Sequence, residues 1–428
     1  MMRIHQKLAF TLLILSVLTG CQTVEQHRSI VNFNISGVSK PVGKGFEGDY
    51  PLRLKGEISV SAIGDIIPHS NVKKCAQMHN IIENGISRNN EGYDYLFERV
   101  RDSLRADITI ANYESPIAPS SANQGQPFVF NSTVSLLRAS MKGNINVFNI
   151  ANNHIYDQGL EGFKETLEVL KKENASYIGT YRDDIPIPLI LDKKGIKVAI
   201  FGFTTLLNNQ PDYSGTSEYV RRLDLSKDLR YIQKAKAEAD IVIVYIHWGE
   251  EYKKEPDRSQ TDIAEALIDA GADIIIGGHP HILQSLHLIP SRDQRVVPVV
   301  FSMGNFISNQ SRNYSYPISQ VDEGRTRDSA ILRFSLRRYS FGGLNFTTVA
   351  DLYFIPVWTI NNNLFYSKGL ESTLEIYPVL IDEEIERLWE RLRDEKDEKR
   401  AFRLIQEIEN LNKRKAVIKG TLGEDYFR

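Results

Sequence analysis

Residues 239–252 read "ADIVIVYIHWGEEY", an unbroken apolar run that stops on an imidazole, an indole, a glycine and two carboxylates. A half-exposed strand would alternate; a continuous run rich in Val and Ile suits a strand covered on both faces. The residues before it, "SKDLRYIQKAKAEA" (226–239), are spaced as a helix. After it comes a second helical pattern, "QTDIAEALIDAG" (260–271), closed by Gly271, and then another apolar run, "ADIIIGG" (272–278). Gly at that position is a helix stop signal. Strand–helix alternation of this length predicts a layered α/β domain with a mainly parallel or mixed sheet.

The same rhythm extends in both directions. Apolar runs recur at "ISVSAIG" (58–64), "ADITIANY" (106–113), "INVFNIAN" (145–152), "KVAIFGF" (197–203) and "VVPVVFSMGNF" (296–306). Helical patterns occur at "YLFERVRDSLR" (95–105) and "GLEGFKETLEVLKKEN" (159–174). Residues 329–360 read as an antiparallel hairpin turning at Gly342 and Gly343. Beyond Tyr377 apolar residues fall at helical spacing among dense charge of both signs. That pattern predicts two amphipathic helices packed on the core or on each other.

The N-terminal stretch "MMRIHQKLAFTLLILSVLTGC" (1–21) places Arg3 and Lys7 before an apolar run too short to span a bilayer comfortably. It reads as a secretory signal, and "LTGC" resembles a bacterial lipobox, with Cys21 as the lipidated residue. Each buried acyl methylene would add roughly 0.8 kcal/mol of membrane affinity. Gln22 is the kind of residue that, in similar lipoproteins, accompanies sorting to an outer membrane. The expected organisation is a signal over 1–20, a tether over 21–55, an α/β domain over 56–360 and a largely helical extension over 361–428. The expected location is extracytoplasmic, lipid-anchored, on the periplasmic side in a Gram-negative cell. Only Cys75 remains, so no internal disulfide or Cys-based metal site can form. A net charge of −2 over 428 residues, without a Lys/Arg block, argues against nucleic acid as a partner.

Functional side chains of open α/β sheets gather at the carboxyl ends of strands. Here those ends carry Asp65 and His69 ("IGDIIPH"), Asn112 and Glu114 ("ANYESPI"), and Asn153, His154 and Asp157 ("NIANNHIYDQG"). Further on they carry His247, Trp248 and Glu251 ("IHWGEEY"), His279 and His281 ("GGHPH"), and Asn305 ("SMGNF"). A lone histidine after a strand is ordinarily a turn residue, and "NNH" alone could be an Asx turn. The repetition at so many strand ends points instead to one convergent site. Carboxylate, amide and imidazole without thiolate suit Zn, Mn, Fe or Mg ions. More than four candidate ligands suggests two ions sharing a bridging group, which together can activate water and clamp a phosphoryl centre. A neighbouring histidine that does not bind metal could then protonate a leaving group.

The ordered set "GDIIPH", "ANYESPI", "NIANNHIYDQG", "IHWGEEY", "GGHPHILQ" and "FSMGNFISNQ" resembles the poly-gamma-glutamate capsule synthesis (CapA) family, whose domains resemble calcineurin-like metallophosphoesterases. The resemblance implies a metallophosphoesterase-like α-β-β-α sandwich. It places Asp65 at the first metal position, Glu114 at the bridging carboxylate, and Asn153, His247, His279 and His281 at the remaining ligands. His154 falls at the acid position, with Asp157 to orient it. Asn112, Trp248, Glu251 and Asn305 are expected behind the ligands or facing substrate. The sequence departs from the phosphoesterase pattern at two points: position 67 is Ile where Asp-x-His would place a ligand, and the bridging residue is Glu rather than Asp. His69, two residues on from Ile67, is left to reach the site or contact substrate. The implied substrate is a phosphoester or anionic polymer, with polymer synthase or export proteins as partners. A non-catalytic polymer-holding role and cleavage of gamma-glutamyl amide bonds are the alternatives.

Overall fold

The computed structural model describes residues 52–123, 128–341 and 343–427. The expected signal, Cys21 and the hairpin residue Gly342 lie outside them. Strand β1 (Arg53–Ile66) leads to helix α1 (Ser70–Met78) and strand β2 (Ile108–Tyr113). Next come α2 (Val134–Lys142), β3 (Val147–Asn149), α3 (Gly159–Lys172) and β4 (Ser176–Ile178). A second series has β5 (Leu189–Lys193), β6 (Ile196–Thr204), α4 (Leu225–Glu238), β7 (Ile241–His247), α5 (Arg258–Ala270) and β8 (Ile274–Gly278). Strands β9 (Leu283–Pro290), β10 (Val296–Met303) and β11 (Asn305–Ile307) follow. The chain then runs through β12 (Asp328–Phe341), β13 (Leu344–Asn361), β14 (Ile376–Leu380), α6 (Ile381–Asp394) and α7 (Glu398–Leu422).

Two sheets result. The first has the order β14-β13-β12-β1-β2-β3-β4, with β11 also paired to β1; the second has the order β9-β10-β8-β7-β6-β5. Strands β1 to β4 are parallel, as are β6, β7, β8 and β10, whereas β12–β14, β5 and β9 run antiparallel to their neighbours.

The period-two geometry of strands decides which side chain meets which layer. Ile58, Val60 and Ala62 of β1, with Ile108 and Ile110 of β2, make the inner face of the first sheet. They pack on the inner face of the second: Val198 and Ile200 of β6, Ile243 and Tyr245 of β7, and Ile276 of β8. The opposite face of the first sheet, with Ile63, Ala111 and Phe148, packs on Val72, Leu137 and Phe163 from α1, α2 and α3. The opposite face of the second sheet, with Phe201, Val244 and Phe301, packs on Ile232 and Leu267 from α4 and α5. Each large apolar side chain among these contributes roughly 1.5–3 kcal/mol when fully buried. The layers are therefore helix, sheet, sheet, helix, an α-β-β-α sandwich. Where the antiparallel half of the first sheet extends past the second, Leu404, Ile408, Leu411 and Ile418 of α7 cover it.

Some elements differ from the sequence reading. Residues 95–105 do not make one helix: a 3-10 segment ends at Phe97 and a single α turn spans Arg101–Leu104. Its apolar residues Leu96, Phe97, Val100 and Leu104 are nonetheless all buried, so the periodicity reported burial rather than helix. β1 begins at Arg53, taking in the last three residues of the stretch read as a tether, because Arg53 and Leu54 pair with Ser340 and Tyr339. Residues 376–380, within the stretch read as a helical extension, add an edge strand to the first sheet.

Candidate metal centre

All the parallel strands near the middle of both sheets end toward one point. β1 delivers Asp65, whose N–H donates to Gly304 O at 2.9 Å. The approach requires glycine at 64, since a Cβ there would collide with the Gly304 carbonyl oxygen. Asp65 is fully buried and pairs in register with Asn112 of β2 and Asn305 of β11. Its Oδ1 accepts from Asn112 Nδ2 at 2.8 Å, and its Oδ2 lies 3.3 Å from His281 Nδ1.

Glu114 follows β2, anchored by its N–H to Ile66 O at 3.1 Å. Its carboxylate is fully buried, and neither oxygen has a hydrogen-bond partner among the described residues. Oε1 lies 3.8 Å from His247 Nε2 and 3.9 Å from His281 Nε2. Burial first, and the neighbouring Asp65 carboxylate second, push the Glu114 pKa well above the ordinary range.

The two asparagines of "NNH" divide the work. Asn152 makes the turn: its Nδ2 donates to Tyr113 O at 2.9 Å and its Oδ1 accepts the His154 N–H at 3.2 Å. Asn153 faces the centre, with Oδ1 2.9 Å from His247 Nε2. Its Nδ2 is drawn the other way, donating to Asn208 Oδ1 at 3.3 Å, which leaves the carbonyl oxygen turned inward.

Three histidines close the site. His247 ends β7 with its Nδ1 3.2 Å from Asn112 Nδ2, and Asn112 is in turn oriented by Asn149 Nδ2 donating to its Oδ1 at 2.9 Å. His279 and His281 follow β8, both with positive φ (98° and 59°), a strained backbone of the kind that collects at functional sites. His281 Nδ1 lies 3.0 Å from Asn305 Oδ1; Asn305 Nδ2 donates to Thr326 O at 3.0 Å, fixing that amide. The His281 proton therefore sits on Nδ1 and Nε2 turns toward Glu114 as a lone pair. His279 Nδ1 is buried without a hydrogen-bond partner among the described residues. Burial holds His279 down at about 3 and His247 well below the usual imidazole value, so both rings are neutral.

These groups fit a metal. One ligand atom each from Glu114, His279 and His281 lie within 4.8 Å of one another, as do those of Asp65, Glu114 and His247. Glu114 belongs to both sets, the position a bridging carboxylate between two ions would take. A buried carboxylate with two unpartnered oxygens costs several kcal/mol unless it is protonated or neutralised by a cation, and an unpartnered imidazole nitrogen beside it supplies a second donor.

His154 stands beside this group. Its Nδ1 lies 2.7 Å from Asp157 Oδ2, which also accepts the Phe130 N–H at 2.6 Å. The carboxylate fixes the proton on Nδ1 and leaves Nε2 as the working nitrogen. The Phe130 ring lies 4.3 Å from the His154 ring and 5.2 Å from that of His69. His69 is a partly buried residue at the mouth, its Nδ1 accepting the Asn309 N–H at 3.2 Å; burial holds its pKa down at about 3.

Not every residue singled out in the sequence belongs to the centre. Trp248 is one step past His247, so its side chain takes the opposite face: it stacks on Phe301 and its Nε1 donates to Phe301 O at 2.8 Å. It is a core residue, neither behind a ligand nor facing substrate. Glu251 is exposed and its charge reaches Glu114 only through space, as part of the rim. Other contributors were not singled out in the sequence: Asn208 in an aperiodic loop, Phe130, and Tyr252, which closes the "IHWGEEY" stretch and whose ring lies 6.1 Å from that of His281.

The family of bacterial capsule synthesis proteins, PGA_cap, matches residues 59–310. The chain is 31% identical over 294 residues to "Capsule biosynthesis protein CapA" of Bacillus anthracis, covering 66% of this chain and 64% of that one. It is 28% identical over 298 residues to "PGA biosynthesis protein CapA" of Bacillus subtilis (strain 168), covering 68% and 71%. The matched part thus spans less than two thirds of the Bacillus anthracis protein. A solved structure, a 5'-nucleotidase precursor from Thermus thermophilus, is similar at a TM-score of 0.35 and 12% identity over 69% of this chain and 54% of that one.

Proposed function

Because the chain belongs to the PGA_cap family of bacterial capsule synthesis proteins, we propose that it is an extracytoplasmic capsule or exopolymer biosynthesis protein with a metal-dependent hydrolase centre. Asp65, Glu114, Asn153, His247, His279 and His281 would hold one or two divalent ions, of Mn, Zn, Fe or Mg. The substrate is a phosphoester or an anionic polymer of the poly-gamma-glutamate type. Lipid on Cys21 would tether the protein to the membrane near polymer synthase or export proteins. The observation that carries this reading is Glu114: a buried carboxylate with two free oxygens, shared by two ligand sets.

Bound divalent ions would supply Lewis acidity at the scissile group and lower the pKa of water. The chain's own residues do the rest. Asn153, a neutral ligand, leaves more positive charge at the centre than a carboxylate would. Asp157 holds the His154 ring through Nδ1, so that Nε2 can deliver a proton to a leaving oxygen. Phe130 packs on that ring and shields it from water.

Metal content measured on the full chain, wild type against Asp65→Ala, is the test. Stoichiometric metal in the first and little in the second is expected, with turnover of a generic phosphodiester in Mn²⁺ or Zn²⁺ lost in both Asp65→Ala and His279→Ala. Wild-type protein free of metal after incubation with each ion would refute the reading. A second reading, a factor that holds the polymer without cutting it, is favoured by the relatives' names, which speak of biosynthesis. Metal with tight polymer binding and no turnover would select it, and release of glutamate oligomers would select gamma-glutamyl amide cleavage.

A further inference from the structure

The segment 309–312 crosses the mouth of the centre. Gln310 Oε1 accepts from Asn305 Nδ2 at 2.9 Å, and Gln310 Nε2 donates to Tyr252 OH at 3.4 Å, on the His281 side. The Asn309 N–H reaches across to His69 on the His154 side. Because His69 Nδ1 accepts that hydrogen bond, its neutral ring carries the proton on Nε2. That N–H has no hydrogen-bond partner among the described residues, and the residue is partly exposed.

Three residues past Asn309, Arg312 is exposed and forms no ion pair among the described residues. Its charge nevertheless bears on His69. Arg312 sits in a turn closed by Tyr314 N–H donating to Ser311 O at 2.9 Å, and Ser311 Oγ is held by Thr326 Oγ1 at 2.6 Å. The base of the turn is therefore tied to the residue whose carbonyl orients Asn305. Of the other charges nearby, Asp157 is engaged with His154, and Lys254 and Arg325 with Asp322, while the exposed Glu251 carboxylate forms no ion pair among the described residues. The donors left without a partner among the described residues are the His69 N–H and the exposed Arg312 guanidinium, whose charge bears on His69.

We infer that His69 and Arg312 form a subsite for a negatively charged oxygen group of the substrate, with His69 Nε2 as hydrogen-bond donor and Arg312 as charge. This rests on the hydrolase reading and names its substrate class: a chain or ester carrying an anionic group, carboxylate or phosphate, beside the group that reacts. Guanidinium and imidazole N–H donors suit both oxygen acceptors. The subsite also accounts for a histidine at position 69 that holds no ligand place in either metal set.

The test titrates the full chain, preloaded with Mn²⁺, with inorganic phosphate and with a gamma-linked glutamate decamer. Wild type is compared with His69→Gln, Arg312→Gln, Arg312→Lys and a control, Arg258→Gln, on the exposed start of α5. Metal content is measured on every sample. The expectation is that Arg312→Gln and His69→Gln each weaken binding about tenfold, the effect of one charge-assisted hydrogen bond. Arg312→Lys should recover part of the loss, and Arg258→Gln should bind as wild type. Loss for both probes identifies a subsite for any anionic oxygen group; loss for the decamer alone identifies a carboxylate subsite. Unchanged affinity in both site variants with full metal content overturns the subsite and leaves the metal reading standing. So does wild-type protein that holds metal but binds neither probe. Wild-type protein without metal defeats the hydrolase reading itself.

Discussion

His154 Nδ1 and Asp157 Oδ2 lie 2.7 Å apart, both side chains almost wholly buried. One turn of chain therefore fixes the tautomer of the imidazole and the direction of its other nitrogen. A general acid contributes about 10²–10⁴ in rate, so His154→Ala should lower turnover of a phosphodiester by that factor with metal content intact. Asp157→Asn keeps the shape but removes the charge, and a loss of about 10–100-fold is expected, in line with other groups that orient a histidine. Wild-type turnover in Asp157→Asn would show that the pair is only a turn contact.

Glu114 separates metal binding from folding. Its buried, unpartnered carboxylate opposes folding when no cation is present. Glu114→Gln should therefore be at least as stable as wild type in chelator. Added Mn²⁺ at a hundredfold excess over its dissociation constant should stabilise wild type by about 2.7 kcal/mol, and the variant far less. Thermal unfolding with and without metal reads both. A variant much less stable than wild type in chelator would mean that Glu114 is held by contacts rather than awaiting an ion.

Much of this was legible in the sequence because buried parallel strands write themselves as continuous apolar runs, and their carboxyl ends can hold polar residues without wasting core. Asp65, Glu114, Asn153, His247, His279 and His281 are all of that kind. Trp248 misled because the period-two pleat turns it to the other face from His247, a distinction that a run apolar on both sides hides. Asn208 and Phe130 were invisible because loops carry no period; only the folded chain brings them against Asn153 and His154. The helix expected over 95–105 failed because burial at helical spacing can be met by a 3-10 segment and a short turn.

The C-terminal helix is fastened by a charge that no amphipathic pattern announces. Arg414 of α7 is fully buried, paired with Asp328 at the start of β12, its Nε 2.8 Å from Asp328 Oδ1, and it lies over the Trp358 ring. Burial pushes the Asp328 pKa up to about 6 against the pull of Arg414. Arg414→Leu should cost about 3–5 kcal/mol, since it strands a buried carboxylate, whereas Asp328→Leu combined with Arg414→Leu should recover much of that. Because Asp328 follows the segment that holds Asn305 through Thr326, the single variant should also weaken metal binding. Denaturant unfolding of the two variants checks the first point, and equal destabilisation in both would dispose of it.

Cys75 gives a test of packing that does not depend on the metal. It sits on the buried face of α1, where its sulfur accepts the Ile376 N–H at 3.3 Å and so joins α1 to edge strand β14. Burial pushes the thiol up to about 12 from an ordinary 9.0. Thiolate is the reactive form, so at pH 8 the folded chain should offer roughly one part in ten thousand. The folded state holds this proton more tightly than the unfolded one, so the contribution to stability is full below pH 9 and is lost as pH rises toward 12. In a full chain carrying Cys21→Ser, a thiol-specific reagent at pH 8 should label Cys75 no faster than the protein unfolds, and unfolding should grow easier above pH 9. Rapid labelling of protein that is still folded would mean that α1 and β14 part readily, and that this edge of the first sheet is held by less than its contacts indicate.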